Sequence, residues 1–250
     1  MSPDPEHVTA EALRLVQEAE QEGLTLRISG GAAVHLRVAD PGLLDRLGRE
    51  PMSDVDLVAP RRHRGPLRKL FHRAGYEADQ NMLASGEGRR FAFWHREPPH
   101  LEIDLFIDRL EMCHTLDWRE RLDLPGPTLP VTDLLLQKLQ IASLTEKDAA
   151  DLIALLVTAR ERELDLEYAA ALLRDDWGFQ HTVELNLERV MADALARDLT
   201  ADERARLHAR VQETRAALES SPKTRRWQRR AKVGERRPWF EHVEDEKTAF

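Results

Sequence analysis

The 250-residue chain has one cysteine, Cys113. A single thiol cannot form an internal disulfide, and a zinc site built on cysteines needs more than one. Long apolar runs are missing too: none approaches the roughly 18 residues that a membrane-spanning helix needs. Met1-Ser2-Pro3-Asp4-Pro5 has neither the basic start nor the apolar stretch of a secretory leader. These features lead us to expect a cytoplasmic protein with no membrane partner. Lysine is scarce: Lys69, Lys138, Lys147, Lys223, Lys232 and Lys247 are the only ones among 37 basic residues. With arginine as the default surface cation, a lysine in a mid-chain helix points to chemistry of its own. The net charge of −8 argues against wholesale coating of nucleic acid, though it leaves room for a local basic groove.

What is present is globular: 42% hydrophobic and 33% charged residues, enough for one large domain or two small ones. Residues 4–22 read as a helix, with Asp4 as cap, Pro5 at its first position and Gly23 as its stop. Leu24–Ile28 alternates as a strand does, and Ser29-Gly30-Gly31 breaks it. A short helix is expected over residues 32–39, then a turn at Asp40-Pro41-Gly42, with residues 40–53 as a surface insertion. Val55–Val58 reads as a strand and Pro66–Ala74 as a helix stopped by Gly75. Arg90–His95 and His100–Ile107 read as two more strands, with Pro98-Pro99 as the turn between them.

Beyond Pro130 the pattern becomes helical. Leu134, Leu135, Lys138, Leu139 and Ala142 recur at three- and four-residue steps. Thr145 suits the cap of a helix reaching about Arg160, and further helices are expected over 165–174 and 181–218. The chain therefore reads as α+β, with an α+β domain over 1–130, a helical domain over 131–220 and a charged tail over 221–250. Residues 222–237 hold Lys223, Arg225, Arg226, Arg229, Arg230, Lys232, Arg236 and Arg237 against Glu235. Such a block reads as a solvated, partly disordered tail, or as a basic arm for RNA with Trp227 and Trp239 to stack on bases.

Three features carry chemistry. Asp54 and Asp56 in Ser53-Asp54-Val55-Asp56-Leu57 project to one face of a strand, leaving Val55 and Leu57 to the core. Glu102 and Asp104 do the same in the strand that follows, with Ile103 and Leu105 opposite. Neighbouring carboxylates repel unless something neutralises them, and Mg²⁺ bound by one or two carboxylates and phosphate oxygens is the usual solution. A third carboxylate would suit a two-metal site acting on a phosphate. Upstream, Gly30 and Gly31 have no Cβ to obstruct a phosphate approaching backbone N–H groups, and the next helix would aim its N-terminus at it.

The residues Ser29-Gly30-Gly31-Ala32-Ala33, Ser53-Asp54-Val55-Asp56 and Ile103-Asp104, in that order, resemble the nucleotidyltransferase superfamily built on the DNA polymerase β palm. The AbiEii-type and related bacterial members resemble the chain most. The likeness covers about residues 24–160 and implies a mixed-sheet palm-like domain followed by a helical one. It implies transfer of a nucleoside monophosphate from a triphosphate such as ATP to a hydroxyl of RNA, tRNA included, of a protein or of a small molecule, releasing pyrophosphate. Asp54, Asp56 and Asp104 would be catalytic and hold Mg²⁺ or Mn²⁺, with Asp104 also acting as base. Ser29, Gly30 and Gly31 would bind the triphosphate. Twenty-two residues separate Gly31 from Asp54, more than is usual in the superfamily. An antitoxin protein is an implied partner, and a catalytically silent nucleotide-binding or partner-binding module is the alternative.

Comparable lysine and Lys/Arg-Asp-x-x-Asp helices follow the sheet in AbiEii-like proteins. By that resemblance Lys138 or Lys147 would touch the triphosphate, and Asp148 or Asp151 would orient that lysine. The residues allow plainer readings: Lys147 and Asp151 as an i,i+4 surface pair, and Asp148 as the acid of a capping box with Thr145. Cys113 reads as a small buried hydrophobe, His114 as a residue within reach of the site, and Arg61, Arg62, His63 and Arg64 as a solvated run or an anion-steering patch. Phe93 and Trp94 read as packing residues.

Overall fold

The computed structural model describes residues 4–79, 89–98 and 100–243. Helix α1 (Pro5–Gln21) begins where Asp4 Oδ1 accepts the Glu6 N–H at 3.1 Å and ends before Gly23, whose φ is +70°. It buries Val8, Ala12, Leu15, Val16 and Ala19, one stripe at helical spacing. Of the expected strand over 24–28 only β1 (Arg27–Ile28) forms. Helix α2 (Gly30–Arg37) starts at Gly30 itself, earlier than expected. Helix α3 (Pro41–Arg46) follows, then β2 (Asp54–Ala59), α4 (Arg64–Arg73) and β3 (Tyr76–Ala78). Strands β4 (Arg90–His95) and β5 (Glu102–Ile107) precede a small hairpin, β6 (Arg109–Glu111) and β7 (Thr115–Asp117). Pro99 of the expected turn lies outside the described residues.

The main sheet is ordered β1-β2-β5-β4-β3. Its centre is the parallel pair β2/β5, flanked by antiparallel neighbours on both sides. Parallel pairing sets Asp54 level with Glu102 and Asp56 level with Asp104. Val55, Leu57, Ile103, Leu105 and Ile107 are buried on the opposite face. Slipping either strand by one residue would exchange these two sets, so burial of the apolar face enforces the register of the acids.

Residues 40–53 are not a surface insertion. Leu43, Leu44, Leu47 and Met52 are buried, and α3 packs against α6 (Glu146–Thr158) of the helical half. That half opens with α5 (Val131–Leu139) and continues through α7 (Leu166–Leu173), α8 (Trp177–Asp193), α9 (Ala201–Ser220) and α10 (Arg225–Val233). The single helix expected over 181–218 is two, because Thr200 and Glu203 form a capping box that starts α9 afresh. Helix α2 contacts β2, α5 and α6 and so joins the two halves. Buried apolar side chains from Val8 to Leu218 form one connected core.

The basic segment is also folded as far as residue 243. Thr224 caps α10, Trp227 Nε1 donates to Gln180 Oε1 at 3.1 Å, and Trp239 Nε1 donates to Thr182 Oγ1 at 3.2 Å. Both indoles thus seat the segment on α8. The backbone N–H of Glu241 then donates to the Cys113 carbonyl at 3.0 Å. The acidic stretch beyond it, from residue 244 on, lies outside the described residues.

Because Leu47 is fully buried, Leu47→Ala should cost about 2–5 kcal/mol, seen as a lower urea midpoint with an unchanged slope. A residue on a looped-out surface segment would lose less than about 0.5 kcal/mol.

Candidate active site

The antiparallel β1/β2 ladder extends one step past β1, where the Ser29 N–H donates to the Asp56 carbonyl at 2.8 Å. This places the glycine bend beside the carboxylates rather than at the far end of the sheet. Gly30 has φ +58°, and a Cβ built on it would fall 1.8 Å from Asp56 Oδ2. Only glycine fits here, on both conformational and steric grounds. Its N–H donates to Gln137 Oε1 of α5 at 3.3 Å. Gly31 is glycine for a different reason: a Cβ there would lie 2.5 Å from Arg49 Nη2. Ser29 Oγ is buried with no hydrogen-bond partner among the described residues.

Asp104 accepts a forked pair of hydrogen bonds from Arg90, Nε to Oδ1 at 3.0 Å and Nη2 to Oδ2 at 2.9 Å. Asp56 has no such partner of full strength. Burial, then Asp54 and Asp104, push its carboxyl up to about 7, against weaker opposition from Lys138 and Arg90. The shift is that of a carboxylate short of positive charge. Among the described residues no three His, Cys, Asp or Glu side chains stand together as a complete metal-ligand set, and Asp104 has both oxygens on Arg90. Asp54 and Asp56, hard oxygen donors on one strand face beside the glycine bend, nevertheless suit a divalent cation.

Behind Gly30 lies a buried charge network. Lys138 Nζ contacts Asp148 Oδ1 at 2.8 Å and Asp151 Oδ2 at 3.0 Å. Asp151 also accepts from Arg49 Nε at 2.8 Å, and neither side chain of that pair has any solvent exposure. Arg49 Nη1 further donates to the Glu50 carbonyl. Two cations and two carboxylates balance, which makes burial of all four tolerable. Burial alone would lower the Lys138 pKa, but Asp151 and Asp148 outweigh it and keep the ammonium firmly charged. Burial likewise opposes ionisation of Asp148, and Lys138 overcomes it. Asp148 also closes the capping box with Thr145, so it serves both helix and lysine.

A cleft of about 420 Å³ opens in front of these groups, within the usual size range of small-molecule sites. Gly30, Asp56, Arg90, Asp104, Gln137, Lys138 and Asp148 form its polar side, while Phe106, Leu110, Met112 and Ile141 form an apolar wall. Val243 completes the rim. Gly31 and Asp151 stand behind the cleft, and Asp54 adjoins Asp56 on β2.

Other expected candidates lie elsewhere. Lys147 does not line the cleft, and its surface pair with Asp151 does not form because Asp151 turns inward. His114 is buried against Phe179, with Nε2 2.9 Å from Thr182 Oγ1, and burial lowers its pKa to about 4. It does not line the cleft. Cys113 is buried, as a small hydrophobe would be. Arg62 pairs with Asp123, and Arg64 lies over the Phe91 ring. Phe93 is buried, whereas Trp94 is exposed. Sequence reasoning missed Arg49, Arg90 and Gln137. Gln137 alone left a trace, as a polar position between the apolar run Leu134–Leu136 and Lys138.

No family model matches the chain, and no curated protein matches it in sequence. Solved structures are similar to it at low identity. JHP933 from Helicobacter pylori aligns with TM-score 0.47 and 13% identity over 95% of this chain and 100% of its own. The antibiotic-resistance factor ANT(2'')-Ia aligns with TM-score 0.43 and 14% identity over 67% of this chain and 94% of its own. The lincosamide antibiotic adenylyltransferase LnuA aligns with TM-score 0.42 and 16% identity over 58% of this chain and 94% of its own. None of these three is described as AbiEii-like. The functional reading below rests on the residues of the cleft.

Three outcomes follow from the charges. A carboxyl whose folded-state pKa lies above its unfolded value favours the folded state only while protonated. The Asp56 contribution should therefore be fully present below about pH 4 and lost as pH rises to about 7, and Asp56→Asn should flatten that part of a urea-stability profile. Arg49→Met should cost about 3–5 kcal/mol by leaving Asp151 under-compensated in the interior. Lys147→Met, by contrast, should change the urea midpoint by less than about 0.5 kcal/mol in equivalent stability.

Proposed function

We propose that the chain is a divalent-cation-dependent nucleotidyltransferase that moves a nucleoside monophosphate from a triphosphate to a hydroxyl acceptor. One observation carries this reading: Asp56 and Asp104 stand level on adjacent parallel strands, with Gly30 packed against Asp56 at the same end of the sheet. Asp54 and Asp56 would hold Mg²⁺ or Mn²⁺, which when bound supplies charge neutralisation at the phosphates. Gly30 lets the phosphate chain approach the start of α2, whose dipole favours an anion and whose first turn Ser29 does not cap with its side chain. Lys138, held charged by Asp148 and Asp151, adds a fixed positive charge to the cleft wall.

In this reading the acceptor oxygen attacks the α-phosphorus while its proton passes to Asp104, which lines the cleft. A new oxygen–phosphorus bond forms. The bond from the α-phosphorus to the bridging oxygen breaks, and pyrophosphate leaves with the electron pair. The apolar wall opposite the acids would receive the acceptor, a hydroxyl of RNA, a protein or a small molecule.

Asp54→Ala should abolish transfer of label from an α-³²P nucleoside triphosphate to acceptors in a cell extract while leaving the circular dichroism spectrum unchanged. Transfer equal to that of the wild type would overturn the assignment. The forked Arg90–Asp104 pair favours a second reading, a module that binds nucleotide without turnover. ATP binding by calorimetry with no pyrophosphate release against any acceptor would select it.

A further inference from the structure

The third carboxylate of the cluster already has a cation. Arg90 opens β4, and the antiparallel register sets it opposite Phe106, diagonal to Asp104 on β5. From there its guanidinium meets both Asp104 oxygens with two parallel hydrogen bonds, the strongest geometry a carboxylate finds on a protein. The Asp104 side chain is only 6% exposed, while that of Arg90 is 40% exposed and lines the cleft. A metal ion seated against Asp104 on the side the guanidinium occupies would have to displace a charge that a strand holds at that position. Lysine could not make the same fork, because an ammonium is a point charge rather than a planar set of donors.

We infer that Arg90 stands in for the second divalent cation of a two-metal site, so that this chain binds one cation, at Asp54 and Asp56. The inference rests on the nucleotidyltransferase reading of the cleft. It makes Arg90 a positioning residue: it fixes Asp104 beside Asp56 and contributes a permanent positive charge facing the space assigned to the phosphate chain.

The test is a metal count. Mn²⁺ bound per bound nucleotide is measured by equilibrium dialysis with electron paramagnetic resonance detection, in the presence of a saturating non-hydrolysable triphosphate analogue. The wild type should hold one Mn²⁺ per nucleotide. Arg90→Gln should hold two, and the double variant Arg90→Gln/Asp104→Asn should return to one. Arg90→Lys keeps the charge but loses the fork, and should still exclude the second ion at low Mn²⁺ while admitting it at concentrations at least about tenfold higher. Two ions on the wild type would overturn the inference and leave the nucleotidyltransferase reading intact. One ion on Arg90→Gln, with unchanged circular dichroism, would overturn it as well. Nucleotide binding with no Mn²⁺ dependence at all would instead remove the functional reading on which the inference stands.

Discussion

Repulsion between carboxylates is the constraint around which this protein is organised. Asp54 and Asp56 share one strand face, Asp104 stands level with Asp56, and the apolar faces of both strands lock that arrangement in place. Left alone, such a cluster would protonate or push the strands apart. The fold answers with cations from three directions: Arg90 from the next strand, Lys138 from α5, and Arg49 behind them through Asp151. Burial and its acidic neighbours still push the Asp56 carboxyl up. That leaves the cluster open to an external positive charge at the point where one would be useful.

The network behind the bend ties distant segments to that balance. Arg49 comes from the segment between α3 and β2, Lys138 from α5, and Asp148 and Asp151 from α6. Each of these charges needs the others to be tolerated in the interior, so the segment carrying Arg49 is held inside despite its turn-rich start. Gly31 is part of this arrangement because it leaves room for the guanidinium. A pair of glycines that looks like one phosphate-binding device is two devices, one facing the cleft and one facing the core.

Much of this was legible in the sequence. Two-residue alternation put Asp54 with Asp56, and Glu102 with Asp104, on one face of each strand; the parallel register then brought the two faces together. Thr145 and Asp148 announced the start of α6 through the capping box. What stayed hidden depends on register and distance. Arg90 reaches Asp104 only because β4 and β5 pair in one particular antiparallel alignment. Arg49 finds a partner 102 residues away, a pairing that no local pattern reports. Strands β3, β6 and β7 are three residues each, too short for alternation to show. The basic segment was read as a solvated tail or as an RNA arm with its indoles stacking on bases, whereas both indoles are bonded to α8.

The apolar wall of the cleft has a different origin from its acids. Leu110 and Met112 belong to the small hairpin and the turn within it, Ile141 follows the end of α5, and Val243 arrives from the segment docked on α8. None of them sits in the central strand pair that sets the acids in line, although Phe106 does. On the nucleotidyltransferase reading, natural variation can therefore reshape most of the acceptor-facing wall while the central strands keep the acids in line. A lineage carrying this scaffold would then be free to change what it modifies far sooner than how.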